Sequence, residues 1–153
     1  MPEILQSLRL FHADRLKEHG LEIRREQRIM ARAISRAIWH KEKLVVEAGT
    51  GTGKSLAYLL PLLEVALDQG VRVAVSTDTR ALQRQLLEKD TPQAAKILGR
   101  EVRAALCMGA ANYVCKRKLG LVLGSGAVPP DAEAILADFL AWEVETESGN
   151  ITE

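Results

Sequence analysis

The stretch "VVEAGTGTGKSLAYLLP", Val45 to Pro61, decides how this chain folds. Gly49, Gly51 and Gly53 alternate with Thr50 and Thr52 ahead of Lys54 and Ser55, with a β-branched run before them and a leucine-rich run after. That is the order of a phosphate-binding loop set between a strand and a helix. Backbone N–H groups converge on phosphate oxygens only where side chains stand clear, which the three glycines permit. A helix starting near Gly53 aims its positive end at the same point. Lys54 is then a mobile point charge along the β- and γ-phosphates, and the candidate catalytic residue. The Ser55 hydroxyl suits Mg²⁺, a cation that prefers oxygen donors and takes few from protein. The general pattern begins with glycine; Ala48 stands there instead. The candidate nucleotide site is thus Ala48, Gly49, Thr50, Gly51, Thr52, Gly53, Lys54 and Ser55, binding ATP with Mg²⁺. A chance glycine-rich turn is the alternative, and the apolar flanks argue against it.

Outward from the loop, strands and helices alternate. Arg24 to Trp39 predicts an amphipathic helix, with Ile29/Met30, Ala33/Ile34 and Ala37/Ile38 on one face and Arg28, Arg32 and Arg36 on another. Lys43 to Ala48 predicts a short strand. A helix from about Lys54 to Gln69 ends at Gly70, with Pro61 expected to kink or restart it. "VRVAVST" (71–77) predicts a second strand and "DTRALQRQLLEKD" (78–90) a helix capped by Asp78 or Thr79. "EVRAALCM" (101–108) is a third strand candidate, with Cys107 in its core. "ANYVCKRKL" (111–119) reads as a basic helix, Gly120 to Pro130 as a loop, and Asp131 to Glu145 as an acidic helix. This order predicts an α/β fold: a parallel sheet with helices on both faces, followed by a helical segment.

At 153 residues the length suits one domain, or one with the start of another. Hydrophobic residues make up 47%, charged residues 27% and aromatics only 4%, so the core must be aliphatic. The longest apolar run, Leu56 to Leu67, contains Pro61 and Glu64 and is too short to span a bilayer. "MPEILQSLRL" lacks the pattern of a signal peptide, which points to the cytoplasm. Net charge is +4 over residues 1–43, +4 over 44–130 and −7 over 131–153. The basic part is a weak footprint for nucleic acid; the acidic end reads as a solvated helix face. Two cysteines, Cys107 and Cys115, cannot close a four-ligand metal site by themselves.

Three stretches, "VEAGTGTGKSLAYLLPLL", "VSTDTRALQRQLLEKD" and "GAANYVCKRKL", come in the order and spacing of the DinG/XPD (Rad3-type) superfamily 2 DNA helicases. The chain resembles the N-terminal part of a DinG-like member over about residues 21–147. The resemblance implies a RecA-like P-loop NTPase fold, its first lobe present in part. It implies ATP-dependent 5′→3′ translocation on single-stranded DNA in the intact protein, with residues 1–42 carrying a Q-motif-like segment, 43–109 the partial RecA-like domain, and 110–153 the start of an iron–sulfur or arch-type insertion. Arg24 and Gln27 match an R-x-x-Q that lies near the adenine in the family; Leu21 stands where the family usually has an aromatic. Ser76, Thr77, Thr79 and Gln83 match a motif that contacts the single-stranded DNA backbone. Cys115 matches the first of four cysteines that hold a 4Fe–4S cluster, the others expected beyond Glu153. Lys116, Arg117 and Lys118 would add phosphate contacts; a solvated helix end is the bland reading.

Phosphoryl transfer also needs a carboxylate for magnesium and water, and usually an arginine. No D-E-x-H box occurs in the 153 residues. The expectation is therefore a nucleotide grip and a DNA-facing segment of a longer helicase, inactive alone. Two alternatives stand beside it: a stand-alone ATP- or DNA-binding module without turnover, and a small P-loop phosphotransferase. The second is disfavoured because "VRVAVST" ends in Ser and Thr, not an acid.

Overall fold

The computed structural model describes residues 13–22, 24–126 and 128–151. The stretch "MPEILQSLRL" lies outside them. The chain divides into two compact units, the first ending at Leu106 and the second starting at Cys107.

In the first unit the described helices are α1 (Ala13–Glu18), α2 (Arg25–His40), α3 (Lys54–Gln69), α4 (Arg80–Gln85) and α5 (Thr91–Leu98), with a π-helical turn, Leu86–Asp90, joining the last two. The core gathers Leu16, Ala31, Leu56, Leu59, Leu60 and Ile97 around α3, all aliphatic. Helix α2 bears out the predicted stripe in part: Ala37 is buried and Met30, Ala33, Ile34 and Ile38 are half-buried, while Ile29 is exposed. It also buries Gln27, Ala31 and Ser35, spaced by four. Small side chains at 31 and 35 let α2 approach α3 closely, and the Ser35 hydroxyl turns back to the Ala31 carbonyl at 2.9 Å instead of facing the core unpaired.

Helix α3 runs unbroken through Pro61, against the expectation of a kink or restart. Pro61 is fully buried among leucines. It lacks the N–H that would bond Ala57, and the packing on both sides outweighs that single missing bond. Gly70 ends the helix in the left-handed conformation, as predicted, its N–H bonded to the Ala66 carbonyl. Thr79, of the two candidates, caps α4 by accepting from Leu82 N at 3.2 Å. The helix expected over 78–90 changes pitch at Leu86, and the π turn closes with Gln85 Nε2 donating to the buried Asp90 carboxylate at 3.0 Å.

The three predicted strands, 43–48, 71–77 and 101–108, form no ladder among the described residues. Many of their apolar side chains face solvent: Val45 is 96% exposed, and Leu44, Val71 and Val75 are also exposed, whereas Val102 packs against the core. Cys107, expected in a strand core, is exposed too. A strand exists through hydrogen bonds to a neighbour, and these segments have the β-branched pattern without the pairing.

The second unit contains 3₁₀ turns at Ala110–Asn112 and Pro130–Ala132 and two helices, α6 (Lys116–Ser125) and α7 (Glu133–Glu145). Part of the basic helix expected from Ala111 is thus a 3₁₀ turn and an extended link. The predicted loop at Gly120 is instead helix as far as Ser125: Leu119, Leu121 and Leu123 favour helix enough to carry Gly120 and Gly124. An isolated antiparallel bridge joins Tyr113 to Asn150, with Val114 N bonded to the Gly149 carbonyl and Ile151 N to the Asn112 carbonyl, each at 2.9 Å.

Candidate functional site: a phosphate loop pinned by a helix

The loop before α3 owes its shape to left-handed backbone. Gly51 has φ 75° and Gly53 φ 77°, values that cost a side-chain-bearing residue strain. Thr52 Oγ1 donates to the Gly49 carbonyl at 3.0 Å and draws the loop into a ring. Lys54 Nζ donates to the carbonyls of Ala48 at 2.9 Å and Gly49 at 2.7 Å, so the ammonium sits at the ring's throat. Gly53 is the N-cap of α3 and offers no side-chain cap, so the first N–H groups of the helix are left for an outside acceptor.

Gln27, which the resemblance sets near the adenine, is anchored on the loop. It is only 6% exposed, and its Nε2 donates to the Gly53 carbonyl at 3.1 Å. A Cβ on Gly53 would run into that amide. Arg24, at the N-cap of α2, reaches the same loop: its Nη1 lies 3.8 Å from where a Cβ on Gly51 would stand. The first turn of α2 is therefore stitched to the loop. Glycine at 53 serves both the left-handed backbone and the close approach of Gln27, whereas at 51 it serves the backbone, with Arg24 at ordinary contact distance.

Ser55 is half-buried in the first turn of α3, with Tyr58 one turn on. Burial pushes the Tyr58 hydroxyl above its ordinary range; the Ser55 hydroxyl opposes this and the Asp90 carboxylate adds to it. Tyr58 was missed by the sequence reading, although its three-residue spacing from Ser55 puts the two on one helix face. Tyr58 also lines an apolar groove of about 420 Å³ with Met30, Ile34, Ile38, Leu44 and Val46. No residue from 48 to 55 lines this groove, so it is not the phosphate site.

The loop passes the test of fit for a nucleotide polyphosphate with magnesium. It has left-handed glycines at 51 and 53, helix N–H groups without a cap, one ammonium at the throat, and Ser55 next in sequence. The residues that would hold the group are Gly51, Gly53, Lys54 and Ser55. Bound there, it supplies a transferable phosphoryl group; Lys54 and the N–H groups supply charge and orientation.

Of the predicted strand-binding residues, Thr77 and Thr79 come together: Thr77 Oγ1 donates to the Thr79 carbonyl at 3.3 Å. The Thr79 hydroxyl is taken by its cap bond, Ser76 is exposed, and Gln83 is half-buried one turn into α4. In the second unit Cys115 is exposed at the start of α6. Its sulfur closes no cap hydrogen bond, yet the N–H of Lys118, that of Arg117 and the charges of both side chains hold its thiol below the ordinary range, against a smaller opposing effect of burial. Lys116, itself exposed, is committed to the half-buried Glu143 at 2.8 Å, which takes this side chain away from phosphate. Among the described residues no group of three or more His, Cys, Asp or Glu could hold a metal ion. None of the described helices is long and apolar enough to cross a membrane.

A strand-like approach, a glycine ring and a helix N-terminus with lysine and serine define a P-loop nucleotide grip. The DEAD/DEAH box helicase family model matches residues 27–121, and the chain belongs to that family. Such a domain implies a RecA-like P-loop fold and the use of ATP and Mg²⁺. The chain is 40% identical over 135 residues to the ATP-dependent DNA helicase YoaA of Haemophilus influenzae, a match covering 88% of this chain and 20% of that protein. It is 34% identical over 147 residues to the 3′-5′ exonuclease DinG of Staphylococcus aureus, covering 96% of this chain and 16% of that protein. The chain thus spans a fifth or less of the length of these relatives. No solved structure matches it.

Proposed function

We propose that this chain is the nucleotide-gripping part of an ATP-dependent DNA helicase of the DinG and YoaA type, acting in the cytoplasm on single-stranded DNA. The observation that carries the proposal is the glycine ring with Lys54 at its throat and uncapped helix N–H groups above it. Ala48 to Ser55 hold the triphosphate, Lys54 its β- and γ-phosphates, Ser55 the magnesium, and Arg24 and Gln27 flank the nucleotide. Ser76, Thr77, Thr79 and Gln83 contact the DNA backbone, where hydroxyls and N–H groups read no sequence. Segments 43–48, 71–77 and 101–108 are strands of a parallel sheet in the whole protein; the support is their β-branched pattern and the exposure of Val45, Val71 and Val75. Residues 110–153 open an iron–sulfur or arch-type insertion, with the exposed Cys115 as one of four ligands in the full-length protein.

The test is nucleotide binding by the 153-residue chain. It binds Mg·ATP, Lys54→Ala abolishes that binding, and Thr79→Ala with Gln83→Ala weakens binding of a labelled oligothymidine without touching ATP. The chain does not turn ATP over, because its sequence holds no D-E-x-H box. Steady hydrolysis lost on Lys54→Ala would contradict the inactive-alone reading. Absence of ATP binding would contradict the grip itself.

A further inference from the structure

Tyr58 carries a hydroxyl that the packing of its ring does not need. The ring lies against the aliphatic core and lines the apolar groove with Met30, Ile34 and Val46, so apolar contacts hold it. A packed tyrosine ring puts its polar tip to use through a partner. Tyr58 stands three residues beyond Ser55 on α3, the spacing at which side chains on a helix meet, and the two hydroxyls are hydrogen-bonded. The charge of Asp90 acts on the same Tyr58 hydroxyl. Asp90 is 6% exposed and is held by Gln85 Nε2 at 3.0 Å, in a π turn that packs on α3. A line of polar groups therefore runs from Gln85 through Asp90 and Tyr58 to Ser55, in the first turn of the helix that follows the loop.

We propose that Tyr58 is a positioning residue that aims the Ser55 hydroxyl at magnesium. A hydroxyl has one proton and two lone pairs, and a cation is held by the lone pairs alone. The Asp90 charge draws the Tyr58 proton toward itself, which leaves the Tyr58 oxygen to accept from Ser55. With its proton committed there, Ser55 keeps its lone pairs for the cation. Without that acceptor the Ser55 hydroxyl is a free rotor, and the metal must order it on binding. The inference rests on the nucleotide reading of the loop, with Ser55 as the magnesium ligand, and names the residue that orients that ligand.

Calorimetry on the 153-residue chain measures ATP binding with Mg²⁺ and in EDTA, for wild type, Tyr58→Phe, Ser55→Ala and the double variant. The wild type binds ATP more tightly with Mg²⁺. Tyr58→Phe reduces that gain about fivefold, the scale of one neutral hydrogen bond, and leaves binding in EDTA unchanged. In the Ser55→Ala background Tyr58→Phe has no further effect, because the hydroxyl that it serves is gone. Tyr58→Phe keeps the ring and its apolar contacts, so helix content by circular dichroism is retained. Equal losses with Mg²⁺ and in EDTA would assign Tyr58 to the shape of the loop and overturn the inference. An unchanged gain, or an effect of Tyr58→Phe that persists in Ser55→Ala, would overturn it too. A wild type that binds ATP with no gain from Mg²⁺ would remove Ser55 from the metal, and this inference with it, while the nucleotide grip stands. A wild type that binds no ATP under either condition would overturn the nucleotide reading itself.

Discussion

Gly53 concentrates three demands in one residue: a left-handed backbone, the N-cap of α3, and room for the Gln27 amide. Gly53→Ala meets the first with a strain of roughly 1–2 kcal/mol and the third with a steric collision. It is expected to lower the thermal midpoint and to reduce ATP affinity by at least tenfold, measured by thermal melts and calorimetry on one preparation. An equivalent Gly49→Ala is milder, because a Cβ there meets nothing within 4 Å. Cys115 gives a second expectation at this scale. Its thiol is held low by the N–H of Lys118 first, then by that of Arg117 and the charges of Arg117 and Lys118. A lowered value means that the thiolate persists to lower pH in the folded chain. In a Cys107→Ser background, iodoacetamide alkylation of Cys115 should therefore have its pH midpoint lower in the folded chain than in urea; coincident midpoints would exclude the effect. The loop residues were legible one by one in the sequence, because glycine, lysine and serine at this spacing have few other uses. That Gln27 is spent on the Gly53 carbonyl was not legible, since twenty-six residues separate the partners and no local pattern encodes the contact.

At the scale of elements, local signals read well and non-local ones did not. Helix α3 and its glycine stop follow from composition over a few turns. The π turn does not: nothing in "LLEKD" distinguishes it from ordinary helix until Asp90 is seen buried with Gln85 as its partner. That extra residue in the turn lets α5 present Ala94 and Ile97 to α3. Asp90→Ala removes the bond to Gln85 and is expected to destabilise the first unit by about 1.5–3 kcal/mol, the range for hydrogen bonds to charged groups. Asp90→Asn keeps an acceptor and should retain most of that stability. Urea unfolding followed by circular dichroism separates the two variants; equal losses would mean that the turn is set by packing alone. Segments 43–48 and 71–77 stand unpaired among the described residues for a different reason. Their β-branched pattern specifies what the side chains favour, and pairing needs a neighbour that a one-dimensional pattern does not name.

The whole molecule is uneven in how it is held. The first unit has a buried aliphatic cluster around α3. In the second, neither α6 nor α7 buries a residue, Ile135 is 70% exposed and Val144 82% exposed. Local opening free energy follows buried apolar contact, so the two units should differ by orders of magnitude in amide exchange. Hydrogen exchange by mass spectrometry on dilute monomer is expected to show slow exchange in α3 and the buried face of α2, and fast exchange through α6 and α7. Uniform protection as far as Trp142 would mean that the second unit is stabilised by something other than burial. The low aromatic content already implied an aliphatic core; which helices would share it depended on the spacing of Ala31 and Ser35, a small-residue face that a search for large apolar residues passes over.

The bonds from Lys54 to the carbonyls of Ala48 and Gly49 also set an entry threshold. A solitary monovalent anion offers the ammonium little more than the two carbonyl dipoles already give it, so chloride has small leverage to pull it out of the throat. A polyphosphate brings several charges at once and can draw the ammonium away while filling the N–H groups above it. The same two bonds are thus expected to filter ligands by valence before shape is consulted, with chloride a weak competitor for the loop.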